Sequence, residues 1–395
     1  MTNRVLGSSP IPVLSAAQWQ EDLDIFAKEL TRRHKNPYHL ISREMFEETV
    51  AALDAQIPSL TDYEVIVGIE RLAAMIGDGH TRLGTQHLYH FLPLETFWFG
   101  KELRILRTSP NYRQALGARL VKIGDFTMHK VHGRLQALIP QGENRWYVLN
   151  QSAGHIVRME PLAALGILPS IDQALCTFQD DAGKQFQLQI ASLPPNTAVE
   201  WIDVVATPPL YLQRQDESFW FTELPNAQTV YVCFRSYQKL AERAKELWSF
   251  VALHTPQRLV VDMRQNGGGN YILVRDHLVH KVQFHPTLNR NGSLFVITGR
   301  KTFSAAMTNV TDFRRETDAI VVGEPTGARP NGYQELSQFM LPNSGLEVSC
   351  SILRYRFQDR NTPAVLPDQR IDPDWRAYRA GRDPIMEWIL DQPLK

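Results

Sequence analysis

The sequence predicts an α/β protein: a parallel sheet covered by helices, an N-terminal helical region and a β-rich accessory part. Three observations carry this. Four short Val- and Ile-rich runs, Val230–Phe234, Leu259–Met263, Leu294–Thr298 and Ala319–Val322, alternate with helical patterns over 238–254, 270–281 and 304–317, as in sheets whose crossovers are helices. The first ninety residues carry helix caps and helical apolar spacing but no strand alternation. Between about 91 and 205 the pattern shortens into paired runs with turn residues between them. The chain has 395 residues, enough for two or three cores. The division predicted is 1–90 helical, 91–205 accessory, 225–372 an α/β core and 373–395 a C-terminal helical tail.

In the helical region, Ser15 caps a helix to about His34, which Asn36-Pro37 ends, and Ser42 caps a second to about Ile57. Thr61-x-x-Glu64 is a capping box for a third, with Val65, Ile69, Leu72 and Ile76 at helical spacing. Glycine then stops that helix at Ile76-Gly77-Asp78-Gly79-His80-Thr81, setting Asp78 and His80 on the loop beyond it. In the accessory part, Leu92–Phe99 with Leu103–Arg107 and Leu175–Gln179 with Gln185–Ile190 predict strand pairs, and Met128–Leu138 and Ile156–Leu165 predict helices. The polar, proline-bearing stretch Thr207–Asp216 reads as a linker.

Composition excludes several function classes. The chain is 43% hydrophobic, 21% charged and 10% aromatic, with 42 basic residues against 42 acidic ones. That balance leaves no electrostatic footprint for nucleic acid and no polybasic segment for a membrane surface. Three scattered cysteines, Cys176, Cys233 and Cys350, form no metal-ligand pattern; Cys233 and Cys350 sit in strand patterns as reduced small hydrophobes. Neither a metal nor an organic cofactor is expected. Met1 to Pro12 lacks the apolar core of a signal peptide and no run reaches spanning length. Cytoplasm is the default expectation, and export the expectation if a leader has been removed.

Chemistry is expected at the carboxyl ends of the core strands, where such sheets bind ligands. Two unusual segments lie there. Asp262-Met263-Arg264-Gln265-Asn266-Gly267-Gly268-Gly269 lets backbone N–H groups approach a phosphate or an oxyanion; it matches neither a dinucleotide fingerprint nor a P-loop. Gly299-Arg300-Lys301-Thr302-Phe303-Ser304-Ala305-Ala306 sets a hydroxyl at the start of a helix, near unpaired N–H groups. Taken alone, Ser304 is an ordinary helix cap and His80 one of twelve histidines.

Taken in order, Gly77-Asp78-Gly79-His80-Thr81, the Asp262–Gly269 segment, the Gly299–Ala306 segment, Val321-Val322-Gly323-Glu324-Pro325-Thr326-Gly327 and Leu366-Pro367-Asp368 resemble the tail-specific (C-terminal processing) serine peptidase family, which includes the tricorn protease core. The resemblance spans about 228–372 and the segment around His80. It implies a crotonase/Clp-protease-like core, a peptide or protein substrate, and acyl-enzyme chemistry. Ser304 would be the nucleophile, with the N–H of Ala305 and that of Gly267 or Gly268 as oxyanion hole. One branch of the family uses a lysine about twenty-five residues beyond the serine. Here that neighbourhood holds Arg329, no lysine lies between 302 and 394, and arginine cannot serve as a base. The tricorn-like branch uses a histidine where this chain has His80, which the resemblance brings within hydrogen-bond reach of Ser304. That branch also has a glutamate where Gln358–Ala364 stands. Counting back from Pro367-Asp368 reaches Asn361, with Asp359 two residues earlier on the same side of an extended chain; either could orient His80, with Asp78 next in line. Asp262 and Arg264 would brace the glycine loop. Gly117–Asp125 resembles a fragment of the family's PDZ-like insert. An ester hydrolase, an acyltransferase and a catalytically silent ligand carrier are the alternatives on the same machinery.

Overall fold

The computed structural model describes residues 11–394. The stretch Met1 to Pro12, read above for a leader, lies outside the described residues except for its last two positions. The described residues divide into two compact units: residues 11–143, 151–204 and 333–354 form one, and residues 144–150, 205–332 and 355–394 the other.

In the first unit the predicted caps are in place. Ser15 and Gln18 close a capping box on the helix Ala16–Arg33, Ser42 accepts from the N–H of Met45 to start Arg43–Gln56, and Thr61 with Glu64 closes the box on Asp62–Ile76. Trp19, Leu23, Phe26 and Leu30 make the buried stripe of the first helix. The accessory strands form one sheet in the order Leu94–Phe99, Glu102–Thr108, Arg119–Ile123, Gln173–Gln179, Gln185–Ala191, each pairing antiparallel with the next. A second sheet sets Glu347–Arg356 between Arg82–Leu83 and Asn331–Met340.

The second unit is built on a six-stranded sheet in the order Gln369–Arg370, Ile320–Gly323, Leu294–Thr298, Arg258–Asp262, Thr229–Phe234, Phe219–Leu224. The first five run parallel and Phe219–Leu224 pairs antiparallel at the edge. Side chains alternate between two cores. Val230, Val232, Val261, Val296 and Val321 face a cluster completed by Leu247, Val279, Val310 and Phe313 from the crossover helices. Tyr231, Val260, Phe295, Ile297 and Val322 face another, completed by Ile385, Met386 and Ile389 of the C-terminal helix Pro384–Asp391. Burial on both faces is why these strands read as unbroken apolar runs.

Two expectations need correction and a third is refined. Ile156–Leu165 is not one helix: Arg145–His155 and Met159–Ala164 are helical, the first started by Asn144, whose Oδ1 accepts from the N–H groups of Trp146 and Tyr147 at 2.9 Å. Thr207–Asp216 is not a loose linker, because the Arg235 guanidinium donates to the carbonyls of Tyr211, Gln213 and Arg214 and pins the stretch to the second unit. The helix expected over 270–281 carries a π-helical segment, Arg275–Val279, between α-helical Tyr271–Val274 and His280–Gln283. Among the described residues no helix is long and apolar enough to cross a membrane, and no group of three or more His, Cys, Asp or Glu could hold a metal ion. All three cysteines are buried and free.

Gly323 ends its strand with φ +118°, and a Cβ there would stand 2.4 Å from the Thr298 carbonyl oxygen. Gly323→Ala is therefore expected to cost about 2 kcal/mol or more, from the left-handed backbone and the clash together. A melting temperature unchanged by the substitution would contradict this packing.

Candidate active site

Ser304 lies in the second unit, where the strand Leu294–Thr298 gives way to the helix Ala305–Glu316. Its backbone stands at φ 52°, ψ −128°, a region that non-glycine residues rarely enter. Its hydroxyl does not cap the helix, so it is not held there as a helix cap. Strain of this kind costs about 1–3 kcal/mol and persists only where neighbours dictate it.

The neighbours are the glycine segment. The N–H of Phe303 donates to the Asn266 carbonyl at 3.1 Å, and the Thr302 hydroxyl donates to the Met263 carbonyl at 2.9 Å. Gly268, at φ +111°, lies directly against the serine: a Cβ there would stand 2.8 Å from Ser304 Cβ and 3.2 Å from the Ala305 nitrogen. Gly269 packs equally closely on the ring of Tyr237. The structure thus brings Ser304, Ala305 and the glycine loop together. It also separates the two glycines in role, since Gly268 gives its N–H to Asn266 Oδ1 at 2.9 Å while Gly267 is exposed.

Asn266 is the residue that composition and motif spacing did not single out. It is fully buried, and its Nδ2 donates to the Phe234 carbonyl at 3.1 Å while its Oδ1 and carbonyl receive Gly268 and Phe303. One side chain therefore ties a strand end, the glycine loop and the serine loop. Asp262 and Arg264 brace the base of that loop. Asp262 Oδ1 accepts from Arg264 Nε at 3.0 Å, its Oδ2 accepts from the Tyr231 hydroxyl at 2.8 Å, and Arg264 reaches on to Asp383 at 2.9 Å. The segment Gly323–Gly327 is fixed likewise: Arg300 pairs with buried Glu324, and the N–H of Gly327 donates to the Thr302 carbonyl at 3.0 Å. In the closing segment, Asp368 Oδ2 accepts from the N–H of Val321 at 2.8 Å. Asp359 and Asn361 are exposed, and neither side chain takes part in a hydrogen bond or ion pair among the described residues.

His80 belongs to the first unit. Gly77 ends the helix Asp62–Ile76 at φ +101°, and its carbonyl accepts from the N–H of Gly142 at 2.7 Å. Asp78, 3% exposed, organises the loop that follows. Its Oδ1 accepts from the N–H groups of His80 and Thr81 at 3.1 Å and from the Ser351 hydroxyl at 2.6 Å. Its Oδ2 accepts from the Thr81 hydroxyl at 2.7 Å and from His34 Nε2 at 2.9 Å. Burial opposes charge on this carboxyl, but the bonds and charge of His34, with Ser351 and Thr81, outweigh it and hold the carboxyl below its ordinary range. His80 is itself buried, and its imidazole is pushed down to about 4, chiefly by burial, with Arg82 adding to the effect while Asp78 and a hydrogen bond to the Tyr333 main chain oppose it. The imidazole is therefore neutral at neutral pH, the form that accepts a proton.

Asn266→Ala would strand the Phe234 carbonyl and the Gly268 N–H in a buried place. A loss of about 1–3 kcal/mol is expected from one buried and one part-buried bond, read as a lowered urea midpoint; a midpoint equal to the parent's would remove Asn266 from this account.

No protein-family model matches the sequence, and no curated protein matches it. Solved structures do match. Mature CPAF superposes with a TM-score of 0.66 at 10% identity, over 95% of this chain and 96% of that one. Mature CPAF complexed with lactacystin gives 0.64 at 10% identity, over 95% and 97%. The photosystem II D1 C-terminal processing protease gives 0.43 at 14% identity, over 93% and 98%. At such identities the likeness speaks for the fold. The chain is similar in fold, over nearly its whole length, to mature CPAF.

Proposed function

We propose that this chain is a serine peptidase, with a crotonase/Clp-protease-like core, that cleaves peptide or protein substrates through an acyl-enzyme. The observation that carries the reading is Ser304, held in a strained backbone at a helix N-terminus with its hydroxyl outside the cap and a glycine loop against its Cβ. Ser304 Oγ attacks the scissile carbonyl, and His80, neutral at working pH, takes the hydroxyl proton. The carbonyl oxygen becomes an oxyanion. The N–H of Ala305, at the positive end of its helix, and that of Gly267 stabilise it, each donor worth about 3 kcal/mol in such sites. Collapse breaks the C–N bond, the amine leaves with the proton from His80, and water repeats the sequence on the ester to regenerate Ser304.

Gly267 takes the role in preference to Gly268 because the Gly268 N–H is already given to Asn266. Asp359 and Asn361 are the side chains that the family resemblance offers to His80. No lysine competes for the role of base: Lys301 is exposed, and the position where the other branch has its lysine holds Arg329, a residue type that cannot serve as a base.

A fluorophosphonate is expected to label the peptide containing Phe303-Ser304-Ala305, and Ser304→Ala to abolish both labelling and hydrolysis of a peptide library. Labelling elsewhere, or hydrolysis undiminished in that variant, would end the proposal. His80→Ala is expected to lose several orders of magnitude in kcat, whereas Lys301→Ala loses little.

The acid limb of kcat/KM is expected near pH 4 and not near the ordinary histidine value of about 6.5, because burial favours the neutral ring. Stability follows the same group. Between about 6.5 and about 4 the unfolded chain binds a proton that the folded chain refuses, so acidification through this window lowers the melting temperature. An acid limb centred near 6.5 would show that His80 is solvated during turnover.

A further inference from the structure

We propose that Tyr237 holds the two oxyanion-hole donors in register, the N–H of Gly267 on the glycine loop and that of Ala305 at the start of the helix Ala305–Glu316; this rests on the peptidase reading of Ser304. The donors come from different segments of the same unit, so one must be fixed against the other before a substrate arrives. Gly267 lies between two residues of the loop that are themselves held. Asn266, before it, donates from Nδ2 to the Phe234 carbonyl at 3.1 Å, at the end of the strand Thr229–Phe234. Gly269, after it, lies on the ring of Tyr237, just beyond that strand end. A Cβ on Gly269 would stand 2.5 Å from Tyr237 Cδ2 and 2.6 Å from its Cγ. Only a residue without a Cβ can approach the ring so closely, and this contact sets the far end of the loop. The ring is seated in turn on Phe234, with centroids 5.0 Å apart.

The hydroxyl of the same side chain reaches the helix that carries Ala305. It donates to Asn309 Oδ1 at 2.7 Å, and Asn309 stands one turn along that helix from Ala305. The other side of the amide fixes the direction of this bond. Asn309 Nδ2 donates to the Tyr271 carbonyl at 2.9 Å and to Asp312 Oδ2 at 3.2 Å. A carbonyl and a carboxylate can only accept, so Oδ1 is the atom that faces Tyr237, and the phenol is the donor. Asp312 is gripped by Arg275, whose Nε and Nη2 each donate to it at 2.8 Å. Arg275 opens the π-helical segment Arg275–Val279, and such turns cluster at functional sites. Asn309 and Asp312 are fully buried, so neither can exchange a lost partner for water at no cost. Tyr237 thus meets the loop with its ring and the helix with its hydroxyl. It is a positioning residue, acting through the N–H groups of Gly267 and Ala305.

The test uses the full-length protein and three readouts. Amide hydrogen exchange follows the N–H of Gly268, which donates to Asn266 Oδ1 at 2.9 Å. The rate of fluorophosphonate labelling reports attack by Ser304 on a phosphonyl group whose oxygen needs the same two donors. The third readout is kcat and KM on a peptide hydrolysed from the library. Tyr237→Phe keeps the ring and loses the hydroxyl bond. It is expected to speed exchange at Gly268 by about tenfold or more beyond any change at Val260 in the sheet. Labelling rate and kcat are each expected to fall about tenfold, with KM changed by less than about threefold. Gly269→Ala is expected to lower kcat at least as much, because its Cβ meets the ring. In a Tyr237→Ala background, where Cγ and Cδ2 are gone, it is expected to add less than about threefold. Additive losses in that cycle would overturn the proposal. So would a Tyr237→Phe protein, folded by circular dichroism, that exchanges, labels and turns over as the parent does. A lowered melting temperature with labelling rate and kcat unchanged also overturns it, leaving Tyr237 a structural part only. Exchange at Gly268 needs no chemistry at Ser304, so it decides the placement of the loop even if Ser304 takes no label and the peptidase reading fails.

Discussion

Ser304 can hold φ 52° only because everything around it is already committed elsewhere. An isolated loop would relax a strain of about 1–3 kcal/mol by moving into a common backbone region. Here the residue before it donates to Asn266, the residue before that is tied to Met263, and the surface beneath it is a glycine with no Cβ to yield. Those tethers depend in turn on the parallel register that sets Asp262 beside Ile297, and on the Arg264 guanidinium that joins Asp262 to Asp383. A buried carboxylate would be costly alone; between an arginine and a tyrosine hydroxyl it becomes a rigid footing. The exposed end of the glycine loop is thus the free edge of a well-anchored structure.

The first unit solves a similar problem with a different device. Asp78 is a buried charge that gathers five donors, and the loop takes its shape from satisfying them. Glutamate in its place would carry the charge one methylene too far for the N–H groups of His80 and Thr81. Asparagine would offer two N–H groups where acceptors are wanted. The residue type is dictated by the count and direction of donors, not by charge alone.

What could be seen in the sequence was what depends on near neighbours. Ser15, Ser42 and the Thr61/Glu64 box act within one helical turn, and the apolar runs of the core report burial on both faces, so these elements were legible. So were the segments around His80, Asn266 and Ser304, because glycine, asparagine and a small residue at a helix start leave local marks. The helix begun by Asn144 was missed because its interior, Arg145–His155, has no apolar stripe. Thr207–Asp216 read as a linker because the guanidinium that fixes it comes from Arg235. The bond from Gly268 to Asn266 joins groups whose geometry no spacing rule encodes. The pH behaviour is not legible in the sequence for the same reason, since burial of His80 is a property of the folded unit.

The Asp78 cluster also has a consequence for the order of events as the chain is made. Its side-chain donors come from His34, from Thr81 and from Ser351, so the loop carrying His80 waits on a residue 273 positions after Asp78. Synthesis proceeds from the N-terminus, and contacts of such long sequence separation form late. The three N-terminal helices can assemble on the ribosome, but the carboxylate remains short of a partner until the strand Glu347–Arg356 has emerged. A nascent chain is in this way kept from completing its histidine loop until that strand has joined it.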